Sequence, residues 1–168
     1  MSPDAVVLTV VVLATAPAAA IDLRTRRVPN ALTAAVAATG ILIAVAGIGR
    51  VGPVASMLGL LLGMALMLPG HLFGGTGAGD VKLFAALGTL LGPGAIVTAF
   101  LYTAIAGGLL ALVVAFQRGR GCATVRAAAR VIRRAPSSRE AVEHPAADNR
   151  FAYVPAISIG VVIAALGY

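Results

Sequence analysis

The side chains able to do chemistry are few: six acidic residues, two histidines and one cysteine among 168. Glu140, Glu143 and Asp148 lie in a polar stretch, and Asp4 precedes the first apolar run, so none of these four needs a special explanation. Asp22 and Asp80 remain. Asp22 closes the first apolar run and Asp80 opens the fourth, and charged groups bordering membrane-length runs are costly enough to mark function. Two carboxyls brought close share one proton, because like charges at short range hold one of them protonated. Such a pair can work as acid and base: the ionised member takes a proton from water attacking a peptide carbonyl, while the protonated one bonds the developing oxyanion or protonates the leaving amine. That chemistry requires no metal and no cofactor, and a lone Cys122 excludes an intrachain disulfide or a paired-cysteine zinc site. Position alone also allows a structural role, with Asp80 capping the fourth helix and Asp22 ending the first among arginines. His71, in a glycine-rich connection, and His144, in the polar stretch, read first as interfacial or loop side chains, with a ligand or proton-relay role as the lesser alternative.

The elements that must carry Asp22 and Asp80 are set by composition. Hydrophobic residues make up 60% of the chain and charged residues 11%, and a mean hydropathy of +0.98 is too apolar for a domain with a wet surface. The expectation is a single membrane-embedded domain over residues 1–168, with lipid as its surroundings. Apolar runs cover about Ala5 to Ile21, Ala31 to Ile48, Pro53 to Leu68, Val81 to Leu91, Ala95 to Phe116 and Phe151 to Leu166. They are continuously apolar rather than alternating, which excludes a membrane barrel and predicts an all-α bundle of six transmembrane helices. The net charge of +7 raises the possibility of nucleic acid, but the arginines flank apolar runs and are explained by topology, so no nucleic-acid partner is expected. With six crossings, twelve of the thirteen basic residues fall on one side and only Arg50 on the other. The positive-inside bias then puts Asp22 and Asp80 at the cytoplasmic face and both termini outside. Residues Met1 to Ala20 resemble a secretion signal, yet Asp4 and the lack of an early Lys or Arg favour an uncleaved first span.

Two stretches stand apart. About residues 117–150 form a basic cytoplasmic loop, either an amphipathic helix on anionic lipid or a solvated connection. Asp80 to Gly92 is 13 residues, about 20 Å of helix against roughly 30 Å of hydrocarbon. Either Gly92-Pro93-Gly94 turns inside the membrane, or Asp80 is drawn below the surface into a recessed, wet cleft. Gly59 and Gly63 offer a small-residue packing face, expected to serve within the bundle.

The segment Gly77-Ala78-Gly79-Asp80-Val81-Lys82 resembles the Gly-x-Gly-Asp-x-Lys signature of type IV prepilin peptidases. Asp22-Leu23-Arg24-Thr25-Arg26-Arg27-Val28-Pro29-Asn30 is similar to the family's first aspartate motif, an Asp followed by basic residues and Pro-Asn. The resemblance implies an intramembrane aspartic endopeptidase with catalytic Asp22 and Asp80. Its implied substrate is a prepilin-like precursor with a basic leader before an apolar helix, cut near their junction at the cytoplasmic face of the inner membrane. Short, peptidase-only relatives serving Flp/Tad-type pili are similar in length, and the paired-cysteine extension that accompanies N-methyltransferase activity is not seen, so methylation is not expected. Tyr153 and Pro155 match two positions of the family's Pro-Tyr-Gly-Pro-like entrance to the last helix. Gly77, Gly79, Lys82, Arg26, Pro29, Asn30, Tyr153 and Pro155 are therefore candidate site-shaping residues. Lys82, two residues from Asp80, is expected to point to another side of its helix. Arg26 would share Asp22's face if the helix continued, Pro29 argues that it stops, and Pro29 with Asn30 is expected to form the turn and cap of the second helix. The competing expectation is a small proton-coupled transporter or channel subunit, which predicts a mid-membrane acid that is not found.

Overall fold

The computed structural model describes residues 2–72, 75–117 and 153–167. Among them are five helices and no strand: α1 (Pro3–Thr25), α2 (Asn30–Val45), α3 (Pro53–Leu72), α4 (Ala78–Gln117) and α5 (Val154–Leu166). The helices α1, α3 and the Ala78–Val113 part of α4 are long and apolar enough to cross a membrane, and α2 and α5 are shorter apolar helices. The chain is an all-α integral membrane protein. Met1–Gly107 and Arg150–Tyr168 form one compact unit, and Gly108–Asn149 a second. Of the second unit, the described part is the helical end of α4; the basic stretch 118–150 lies outside the described residues.

The fourth and fifth apolar runs, continuous as α4, are two helical segments parted at Gly92, where φ is 74° and ψ is −180°. Only glycine adopts that backbone region readily, and Pro93 follows it, with no N–H to continue the preceding turn. The break reverses the chain. Phe84 and Phe100 are sixteen residues apart in sequence, about 24 Å along a straight helix, yet their rings meet edge to face with centroids 6.2 Å apart. The shortness of the fourth run thus resolves as a hairpin without a loop. Val81 and Leu83 to Leu91 are buried, so this rod is apolar all round because it runs through the middle of the bundle. It packs on α3 through Gly59 and Gly88, whose backbones touch so closely that a Cβ at either would strike the other's carbonyl. Gly63 likewise faces Phe84 and Ala85. The Gly-x-x-x-Gly face is an internal packing surface.

Hydrogen bonds define the two ends of this unit. At one end, Arg50, between α2 and α3, donates from Nε to Asp4 Oδ1 (2.6 Å) and from a terminal nitrogen to the Ala165 carbonyl (2.9 Å). These contacts tie the start of α1 to the end of α5. At the other end, the close of α1 meets the starts of α2, α4 and α5, and there the candidate site lies.

Candidate active site

Asp22 lies in the last turn of α1, 4% exposed, with Val7, Val11, Ala14 and Ala18 buried on the helix that leads to it. Its Oδ2 accepts the backbone N–H of Val154, the first residue of α5, at 3.1 Å. A side chain of α1 therefore satisfies one of the open donors at the start of α5. Pro155 follows in the first turn of α5, where its missing N–H costs nothing. The helix α1 ends one turn beyond Asp22. Arg26 turns into the left-handed region (φ 51°) while its N–H still bonds the Asp22 carbonyl at 2.8 Å. The helix does not continue to carry Arg26 along the face of Asp22, yet the guanidinium lies within electrostatic reach of that carboxylate.

Asp80 is the third residue of α4 and 7% exposed. Its Oδ2 accepts the N–H of Gly77 at 3.0 Å, while its own N–H bonds the Gly77 carbonyl at 3.1 Å. Gly77 is the cap residue, and Asp80 supplies the acidic half of a capping box. The position itself is not that of an N-cap, but the capping role foreseen for Asp80 is real. The connection before it is tightly wound: Gly75 N–H and Thr76 N–H bond the Gly70 carbonyl at 2.8 and 3.2 Å, and His71 Nδ1 meets the Thr76 carbonyl at 3.0 Å. A carbonyl only accepts, so Nδ1 carries a proton. Asp22 and His71 both act electrostatically on Asp80. The two aspartates, far apart in the chain, lie within electrostatic reach of each other.

The two aspartate motifs also touch directly. A Cβ at Gly79 would lie 3.1 Å from Val28 Cβ, so the α1–α2 connection passes directly over the start of α4. Lys82 donates from Nζ to Asn30 Oδ1 at 3.1 Å, pointing away from Asp80 as helical spacing requires. This changes the role of Asn30. Pro29 occupies the cap position of α2, its carbonyl accepting from Leu32 and Thr33, and Asn30 is the first helical residue, its amide turned to Lys82 instead of to its own helix. Beside that pair a cleft of about 290 Å³ runs between α2, α3 and α4, lined by Thr33, Ala37, Leu60 and Ala86. Tyr153, immediately before α5, is half-buried, and Asp80 acts on it electrostatically.

Three contributors escaped sequence reasoning. The Val154 N–H has no side-chain signal beyond the proline that marks a helix start; Val28 looks like any linker residue; and the contact of His71 with Thr76 depends on how the Gly70–Gly77 connection closes. Among the described residues, no group of three or more His, Cys, Asp or Glu side chains could hold a metal ion.

Fold and site define a class: a helical integral membrane protein with two buried carboxylates at one end, each bonded to the first turn of a helix. A family model described as the type IV leader peptidase family matches residues 7–112, a span that contains both aspartates. The chain belongs to that family, and its function in general terms is that of a leader peptidase. Comparison with curated proteins and with solved structures returns no match.

Proposed function

We propose that this protein is an aspartic endopeptidase of the cytoplasmic membrane that removes the leader of prepilin-like precursors, with Asp22 and Asp80 as its catalytic pair. The observation that carries this reading is the convergence of two buried aspartates from distant helices within a chain of this family. Holding one proton between them, the pair divides the work of hydrolysis. The ionised carboxylate removes a proton from water, whose oxygen bonds to the scissile carbonyl carbon. The protonated carboxyl delivers its proton to the amide nitrogen as the C–N bond breaks, and the pair returns to its starting charge. Gly77, Gly79, Arg26, Pro29, Asn30, Lys82, Tyr153 and Pro155 shape the cleft around the pair, through the contacts described above. The substrate is a precursor with a basic leader followed by an apolar helix, cut at their junction, and the aspartate end faces the cytoplasm.

The test is co-expression with a candidate prepilin and a gel-shift readout. Asp22→Asn and Asp80→Asn each lower processing by about 10³-fold or more, because each removes one half of the acid–base pair. Normal processing by either variant would reject the pair.

A further inference from the structure

We propose that Tyr153 is a third catalytic residue, its phenol donating to the substrate's carbonyl oxygen as charge develops there, and that Gly107 is the positioning residue that makes room for it. This inference rests on the peptidase reading above, and it begins from how that mechanism uses the pair. One carboxylate takes the proton of the attacking water and the other carboxyl protonates the leaving amine, so both are engaged in proton transfer. A neutral donor separate from the pair would hold the oxyanion throughout.

Tyr153 is bound into both halves of the site. The next peptide unit donates its N–H, that of Val154, to Asp22 Oδ2 at 3.1 Å, so the tyrosine's backbone is fixed relative to one aspartate. Its own carbonyl accepts from Ala156 and Ile157 at 3.0 and 3.2 Å, which locks it to the start of α5. Its side chain lies in the field of the other aspartate, Asp80. The ring has its place because α4, doubled back at Gly92, returns past it with a glycine. A Cβ at Gly107 would stand 2.6 Å from Tyr153 Cε2, 2.9 Å from the phenol oxygen and 3.0 Å from Cζ. Such a Cβ would force the ring to shift. A phenol keeps its proton at neutral pH, with an ordinary pKa near 10, so it offers a neutral donor beside a pair whose carboxyls are occupied in proton transfer. Donors fixed in advance where charge develops are among the strongest contributions to catalysis. Sequence spacing gives no hint of Gly107, because its role exists only once α4 is folded in two.

The test measures precursor processing by purified protein in detergent, resolving kcat from KM. Tyr153→Phe keeps the ring and removes the donor; it lowers kcat by about 10²-fold, the cost of one such donor, with KM within twofold of the parent. Gly107→Ala produces a comparable loss in kcat. Combining the two gives no further loss beyond Tyr153→Phe alone, since both remove one contribution. A Tyr153→Phe variant with the parent's kcat, a loss that falls wholly in KM, or two losses that multiply would each overturn the assignment. The parent and Asp80→Asn run alongside. An inactive parent refutes the peptidase reading itself, whereas an active parent with an active Tyr153→Phe refutes only the role of Tyr153.

Discussion

Asp22 and Asp80 each accept a hydrogen bond at the first turn of a helix, Asp22 from Val154 and Asp80 from Gly77, so the atoms proposed to do chemistry also cap helices. Substitutions separate them. Asparagine keeps an acceptor oxygen and therefore the cap, and Asp80→Asn should leave thermal stability in detergent within about 0.5 kcal/mol of the parent, whereas Asp80→Ala loses about 1 kcal/mol. If capping were the whole role of Asp80, the asparagine variant would process precursor normally. If the carboxyl does chemistry, it is inactive while folded. Melting curves and processing assays on the same preparations decide between the two outcomes.

The hairpin of α4 determines what the site can be. The conformation at Gly92 lies in a region essentially closed to other residues, and a Cβ there would also meet Val51 at 2.7 Å. Gly92→Ala therefore costs about 1–3 kcal/mol by the backbone alone, seen as a lowered melting temperature. It also reduces processing, since the returning rod no longer reaches Tyr153. Packing between α3 and α4 makes a separate prediction. Gly88→Val places a branched side chain against the carbonyl of Gly59, and overpacking of this kind costs typically about 1–3 kcal/mol. Because the obstacle is backbone rather than a side chain that can rotate, the upper end of that range is expected in thermal melts.

At the level of the whole molecule, the described bonds place Asp4, Arg50 and Ala165 at one end and both aspartates at the other. Arg24, Arg26, Arg27 and Lys82 border the aspartate end, which is the arrangement that the positive-inside bias requires if that end is cytoplasmic. Replacing the single native cysteine by Cys122→Ser allows a direct check. A cysteine introduced at the exposed Gly75 by Gly75→Cys should react with a membrane-impermeant thiol reagent only after the cells are opened, and one introduced by Gly49→Cys should react in intact cells. The reverse pattern would turn the molecule over and place cleavage outside.

The amino-acid sequence by itself determined the membrane setting and the helical class, and it singled out Asp22 and Asp80 as the candidate pair. These follow from continuous apolar runs, from basic residues concentrated in alternate connections, and from two short motifs in a fixed order, all of which are local properties of the chain. It also predicted that Gly59 and Gly63 pack inside the bundle, and that the run after Asp80 is too short for a simple crossing. Only the tertiary structure decided how that shortness resolves, because the alternatives, a recessed aspartate and a turn at Gly92, have the same sequence and differ only in φ and ψ at one glycine. The same holds for the side chain of Asn30, which reads as a helix cap and is instead bonded to Lys82 across the bundle. Val154, Val28 and Gly107 enter the site through a backbone N–H, a methine carbon and a missing Cβ. Groups of that kind carry no chemical signature in sequence, and their roles arise only when packing brings distant backbones within a few ångströms.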